Sequence, residues 1–194
     1  MTDSVALGPR EYQGLQIPAA GTYALDAHHK RVGFVARHMM VAKVRGHFET
    51  AEATIVVGED PLQSSVTASI QTATVSTSST DRDNHLRSGD FFESEKYPEM
   101  NFRSTSLRSW DDGEFVLDGE LTIKDVTKPV ALKVEFEGAT VSPYGQDVFG
   151  FSATAEVDRE EWGLTWNMIL ETGGVGVSKK IKIEIEGEAI RQAA

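Results

Sequence analysis

The sequence predicts an all-β protein whose strands form an antiparallel sandwich or barrel. Apolar and polar residues alternate along many short segments, most clearly at residues 180–190, where isoleucines at every second position separate lysines and glutamates. Turn residues separate these segments, and no strand is followed by a long helix in the rhythm that a parallel sheet requires. The alternation therefore predicts sheets with one face in the core and one face in solvent.

The N-terminal residues 1–20 are predicted to form an irregular extension. They contain two glycines and two prolines and show no apolar periodicity. Residues 21–194 are predicted to form a single domain, because a β-barrel or sandwich of this length is ordinarily one domain. The chain has 194 residues, which is enough to bury a core without disulfide bonds.

The strand segments follow one another along the rest of the chain. We expect about eight strands in all. The alternation marks ten candidate segments for them, at residues 22–25, 32–38, 44–48, 53–57, 66–75, 100–107, 114–123, 128–136, 148–157 and 180–190.

One short helix is predicted at residues 79–88, where cap-forming Ser, Thr and Asp residues begin the segment and a glycine follows it. Residues 111–113, Asp-Asp-Gly, predict a hairpin turn between two strands. A hairpin turn is also predicted at residues 173–176, because these glycines do not complete the spacing of a phosphate-binding loop and lead into a strand.

Charge and composition exclude several kinds of function. The net charge of −11 disfavours binding to nucleic acid and electrostatic docking on anionic membranes. The absence of cysteine excludes disulfides and thiolate metal sites. No signal peptide is visible, and no apolar run approaches the roughly 18 residues of a membrane span. We therefore expect a cytoplasmic protein without stable membrane insertion.

Six groups of residues carry a family resemblance. They are Gly21-Thr-Tyr-Ala-Leu-Asp26, Val32-Gly-Phe-Val-Ala-Arg-His38, Lys43-Val-Arg-Gly-His-Phe48, residues 81–92 with 96–102, Leu121-Thr-Ile-Lys-Asp-Val-Thr-Lys-Pro-Val130, and residues 159–164 with the pair Trp162-Gly163. In order and spacing they resemble the YceI-like family of polyisoprenoid-binding, lipocalin-like proteins. The sequence departs from that family where His28-His29 stands in place of its usual His-Ser pair, and in showing no signal peptide.

The resemblance implies a fold and a ligand. It implies an eight-stranded antiparallel, lipocalin-like barrel with one helix against it, and a long pore that holds a polyisoprenoid or another long-chain lipid, such as a quinone or a fatty-acid derivative. It also implies a homodimer. We therefore expect a non-enzymatic lipid-binding protein that serves transport, storage or sensing and needs no cofactor.

The alternating apolar residues are the expected lining of the pore. The alternative is that they fill a solid core, as most inward residues of small barrels do. The candidate lining residues are Val32, Phe34, Ala36, Val44, Phe48, Ile70, Phe102, Leu121, Val134, Phe136, Phe151, Trp162, Leu164, Trp166 and Met168.

A lipid head group requires polar partners at the mouth of the pore. The candidates are Arg37, His38, Arg45, His85 and Arg87. The alternatives are a hydrogen-bonded core position for His38 and solvent-exposed helix charges for Arg87.

No catalytic or metal site is predicted. The sequence has no Gly-x-Ser-x-Gly motif. Asp81 and His85 share a helix face, but a surface ion pair explains that spacing as well as a zinc site does. Two alternatives stay open: an enzyme that acts on a small amphiphile with His38 or His85 as general base, and a solid barrel that serves as an interaction module.

Overall fold

A computed structural model describes residues 6–169 and 174–193. The described residues form twelve strands and one α-helix, with short 3₁₀ turns at Pro61–Gln63, Thr72–Thr74 and Arg159–Trp162. The elements are β1 (Arg10–Tyr12), β2 (Leu15–Ile17), β3 (Gly21–His38), β4 (Ala42–Phe48), β5 (Ala51–Val57), β6 (Ser65–Gln71), β7 (Val75–Ser76), α1 (Thr80–Arg87), β8 (Glu99–Asp111), β9 (Glu114–Ile123), β10 (Val126–Val141), β11 (Asp147–Asp158) and β12 (Lys180–Arg191).

Eight strands close into an antiparallel barrel, which confirms the predicted fold class. The order around the barrel is β3, β5, β6, β8, β9, β10, β11 and β12, and pairing of β12 with β3 closes the circle. Closure removes free strand edges from the barrel. In the middle of β10, the register pairs Val134 with Phe115 on one side and with Ala153 on the other, so these side chains share the inner face.

Strand β3 is longer than the sequence indicates. The separate segments predicted at 22–25 and 32–38 are one strand, Gly21–His38. Opposite Glu188 of β12, residues 26–29 bulge out of the ladder, and their mostly polar side chains hid the continuity. The first half of β3 pairs with β5, whereas the second half pairs with β4, which therefore lies beside the closed barrel.

Another strand is shorter than the sequence indicates. The strand predicted at 66–75 ends at Gln71, and the chain turns through Thr72–Thr74 before β7 pairs with β4. Thr72 is buried and its Oγ1 donates to Tyr97 O at 2.8 Å, which holds this corner.

The predicted turn at 111–113 is confirmed, because Asp112 and Gly113 have φ values of 47° and 86°, and a two-residue hairpin turn requires positive φ at both central residues.

One end of the barrel, here called the hairpin end, is covered by β1 and β2. The sequence predicts an irregular extension here, but the structure has a small hairpin that turns at Gln13 and Gly14. Its strands of three residues are too short to show periodicity. Ile17 is only 2% exposed, so the hairpin is part of the packed structure.

The opposite end, here called the helix end, is covered by α1, by residues 88–98 and by the turn Arg159–Trp162. The predicted helix is confirmed at Thr80–Arg87. Arg87 attaches it to β7 and to the turn before it, because its Nε donates to Ala73 O at 2.7 Å and its Nη2 to Val75 O at 2.9 Å. Trp162 is 1% exposed and donates from Nε1 to Leu121 O at 3.0 Å.

Two glycines allow aromatic rings to lie against the inner wall. A Cβ at Gly46 would collide with the ring of Phe34, and a Cβ at Gly119 with the ring of Phe102. A side chain at either position would therefore displace the ring that packs there.

The hairpin turn predicted at residues 173–176 is described only in part. Ile169 bridges to Val175, as in a hairpin, whereas residues 170–173 lie outside the described residues. Over residues 6–169 and 174–193, no helix has the length and apolar character needed to cross a membrane.

Candidate functional site

An apolar cavity of about 340 Å³ runs through the barrel between the two covered ends. Cavities that hold small molecules have volumes of roughly 300–1,000 Å³. Every barrel strand contributes to the wall, and almost every lining side chain is apolar. Val32, Phe34 and Leu121 face this space yet are only half-buried, which indicates that the interior is not filled by side chains.

Most of the predicted lining residues lie on this cavity. They are Val32, Phe34, Ala36, Phe48, Ile70, Phe102, Leu121, Val134, Phe136, Phe151, Trp162 and Leu164. They meet there because paired residues on neighbouring strands point to the same face of the sheet.

Three predicted lining residues lie elsewhere. Val44 pairs with Ala36 near the start of β4 and is not part of the cavity wall, whereas Phe48 at the other end of the same strand is. Trp166 packs edge-on against His85, with ring centroids 4.5 Å apart. Met168 is 55% exposed. Trp166 and Met168 follow the turn Arg159–Trp162 in an irregular segment, where the period of two no longer predicts direction.

Sequence reasoning missed other parts of the wall. Both covers contribute lining residues, and so do several strand positions whose alternation was visible in the sequence. The missed residues include Ile17, Pro18, Ile55, Val57, Leu86, Phe91, Phe92, Trp110, Phe115, Leu117, Leu132, Arg159, Ile181, Ile183 and Ile185.

Arg159 is a charged residue on the wall, at the helix end. It is 5% exposed. Its Nε donates to Ser178 O at 3.0 Å and its Nη1 to Leu164 O, whereas Nη2 has no hydrogen-bond partner within the described part of the chain. The side chain also lies 5.9 Å from the ring of Phe91.

Arg159 has carboxylates nearby but forms no ion pair within the described residues. Burial lowers the pKa of Arg159, and the charges of Glu160 and Asp158 act against this. A guanidinium nevertheless stays protonated in proteins. No carboxylate forms an ion pair with it among residues 6–169 and 174–193. The wall therefore holds a buried cation with one free donor.

Trp110 lies on the wall at the hairpin end. Its ring stacks on Phe115 with centroids 5.5 Å apart and meets Tyr12 edge-on at 5.8 Å. Its Nε1 is buried and, in the described residues, has no acceptor. Among the residues that the structure describes, each end of the cavity thus has one unused donor, a neutral indole at one end and a cation at the other.

The predicted head-group residues are not part of the cavity wall. Arg37, His38 and Arg45 are exposed on β3 and β4. His85 Nε2 lies 2.8 Å from Asp90 Oδ2, and this pairing replaces the one predicted with Asp81. Arg87 uses its guanidinium to hold α1 in place.

One group of metal-type ligands occurs at the bulge of β3. Single ligand atoms of Asp26, His29 and Glu188 lie within 4.8 Å of one another. Asp26 Oδ2 is 2.6 Å from His29 Nδ1, and this hydrogen bond raises the pKa of His29. The hydrogen bond from the backbone N of His28, followed by the one with His29, lowers the pKa of Asp26. His29 is exposed, and the ion pair with Asp26 accounts for the arrangement.

Comparison with known proteins gives the barrel a family context. The model of the YceI-like domain matches residues 23–189. A UPF0312 protein of Staphylococcus aureus is 33% identical over 168 residues, which are 86% of this chain and 95% of that protein.

Solved structures share the fold. The YceI protein of Campylobacter jejuni superposes with a TM-score of 0.70 at 28% identity, over 81% of this chain and 90% of that one. A polyisoprenoid binding domain from Saccharophagus degradans superposes with a TM-score of 0.66 at 13% identity, over 90% of this chain and 100% of that one.

Proposed function

The chain belongs to the YceI-like domain family, and on that premise we propose that it binds a polyisoprenoid or a related long-chain amphiphile inside its barrel. The observation that carries the proposal is the apolar cavity of about 340 Å³ that extends between the two ends. The polyisoprenoid binding domain with the same fold supports the choice of ligand class.

The chemistry of the wall suits such a ligand. Burial of one methylene group is worth about 0.8 kcal/mol, so each five-carbon isoprene unit contributes roughly 3–4 kcal/mol before the cost of ordering the chain. Phe34, Phe102 and Phe151 offer broad apolar surfaces along the path. We expect slow dissociation and a ligand that survives purification.

The direct test is extraction of the purified protein with denaturing organic solvent, followed by mass spectrometry of the organic phase. A polyprenyl, quinone or fatty-acyl species in a stoichiometric amount supports the proposal and identifies the ligand. An extract without lipid, repeated after incubation of the protein with membrane lipids, contradicts it and leaves the solid interaction module.

A pair of variants ties the ligand to the cavity. Ala153 lies on the wall and pairs with Val134, whereas Ala131 is exposed on the outer face of β10. Ala153→Trp is expected to remove lipid from the extract, because the indole occupies the cavity. Ala131→Trp serves as the matched control and is expected to keep it. Circular dichroism must show that both variants are folded, since overpacking costs about 1–3 kcal/mol.

We further propose that binding is the whole activity, with no catalytic step. The enzyme alternative uses His38 or His85, which are not part of the cavity wall. It requires turnover of the extracted lipid that His38→Ala or His85→Ala abolishes while binding persists. Transport in the cytoplasm and a homodimer stay predictions, and light scattering of the purified protein tests the second.

A further inference from the structure

The buried guanidinium of Arg159 is the feature of the cavity that apolar lipid binding does not explain. A fully apolar chain gains nothing from a cation, and an unpaired buried charge costs free energy that native proteins ordinarily recover through a partner. Only 5% of Arg159 is exposed, yet its Nη2 has no acceptor within the described residues.

The surroundings hold this side chain in place. Its backbone N donates to Lys179 O at 3.0 Å, and its Nε donates to Ser178 O at 3.0 Å. These bonds, with the one from Nη1 to Leu164 O, use neutral carbonyls as acceptors. They fix the orientation of the guanidinium without neutralising it, and they leave one edge of the donor fork unused.

We propose that Arg159 binds an oxyanion head group, so that the ligand is an anionic single-chain amphiphile whose phosphate or carboxylate lies at the helix end of the cavity. The inference rests on the proposed function and adds the charge of the ligand and its direction in the barrel. The head accepts from Nη2, and the chain extends along the apolar wall towards Trp110 at the hairpin end.

The direction follows from the two unused donors. Trp110 Nε1 is neutral, so its cost when unpaired is that of one lost hydrogen bond. Arg159 has a full charge in an apolar wall, so it gains far more from an anionic partner. The charged head of a ligand is therefore stabilised at Arg159, while Trp110 contacts the far end of the chain or a polar group there.

The experiment compares lipids that differ only in the head. Binding of geranylgeranyl phosphate and of geranylgeraniol, which have the same chain, is measured by titration calorimetry on delipidated protein. A second pair, palmitate and hexadecanol, separates a carboxylate from a phosphate source. We expect at least one anionic member to bind about tenfold or more tightly than its alcohol.

Variants assign the preference to one side chain. Arg159→Met is expected to bind the alcohols with nearly wild-type affinity and to lose the preference for the anionic members. Arg159→Lys is expected to keep part of it. Arg10→Met, which removes an arginine outside the cavity wall at the hairpin end, is the matched control and keeps the full preference.

The outcomes separate two kinds of failure. If the wild type binds each alcohol and its anionic counterpart equally, or Arg159→Met keeps the preference, the inference is wrong while lipid binding stands. If no lipid of either pair binds, the proposed function fails with it. If the role of Arg159 were purely structural, Arg159→Met would keep the preference for the anionic lipids.

A second measurement does not depend on variants that fold. Nitrogen-15 spectra of the wild-type protein report the arginine side chains directly. The Nη signals of Arg159 are expected to shift on addition of the phosphate and to stay in place with the alcohol. Equal shifts with both lipids, or none with either, contradict the inference.

Discussion

Each end of the barrel has an arginine that is hydrogen-bonded to backbone carbonyls, and the two arginines differ in whether a donor is left over. At the hairpin end, Arg10 donates from Nε to Pro18 O at 3.2 Å, from Nη1 to Glu59 O at 2.6 Å and from Nη2 to Gly58 O. At the helix end, Arg159 donates to two carbonyls and keeps Nη2 free among the described residues.

The charges differ as well. Arg10 forms an ion pair with Glu59 at 3.4 Å and is partly open to solvent, so its charge costs little. Arg159 is buried beside apolar rings and has neutral acceptors. Backbone carbonyls accept the hydrogen bonds that hold both arginines against their covers, and Arg10 has a carboxylate partner in addition. The remaining donor and charge of Arg159 are therefore available for a ligand.

The largest expected effect is on stability, and it compares the contribution that a buried side chain of each cover makes to the free energy of unfolding. Trp162→Ala at the helix end is expected to lower the free energy of unfolding by about 3–5 kcal/mol, because it removes a fully buried ring and its bond to Leu121 O. Ile17→Ala at the hairpin end removes a smaller side chain and is expected to cost less, about 2–3 kcal/mol. Denaturant titration measures both. An equal or larger loss of unfolding free energy for Ile17→Ala would contradict this order and show that the hairpin contributes as much to stability as the helix end.

The next effect is a pH dependence at the hairpin end. Burial, with a smaller contribution from Asp147, raises the pKa of Tyr23 to about 12. Its OH donates to Ala19 O at 2.9 Å. The unfolded chain loses this proton near pH 10 and the folded chain does not. The free energy of unfolding therefore falls by about 2–3 kcal/mol as the pH rises from about 10 to about 12.

Tyr23→Phe is the control for this prediction. It lacks the ionising group and is expected to lose correspondingly less stability over the same pH range, although it starts lower by the lost bond to Ala19. Parallel pH profiles for the wild type and the variant would show that Tyr23 does not titrate as described.

The smallest expected effect tests Arg10 itself. Arg10→Met removes the bonds to Pro18, Glu59 and Gly58, which are partly solvated, and is expected to cost about 1–2 kcal/mol. Amide exchange of β1 and β2 is expected to accelerate, because those bonds attach the hairpin. Arg10→Lys is the conservative control. A change in head-group preference in Arg10→Met would contradict the separation of the two ends.

Much of the fold was predictable because it is written in local patterns. The alternation at 114–123 predicted β9 with its observed bounds, and the Asp-Asp-Gly signal predicted the turn before it. Leu121, the candidate lining residue on β9, lies on the cavity because a side-chain period of two determines which face of the sheet a residue occupies. In the irregular segment after the turn Arg159–Trp162 that period is absent, and Trp166 and Met168 are not part of the cavity wall.

The sequence by itself determined the all-β class, the helix at Thr80–Arg87 and the family resemblance. Only the tertiary structure decided that β12 closes on β3, that β3 continues through its bulge, and that an open cavity remains inside. It also decided which cation is buried, because the acceptors of Arg159 belong to Leu164 and Ser178, which chain folding brings together. Local periodicity specifies the face of a strand, whereas burial and unpaired donors depend on what the rest of the chain places around a residue.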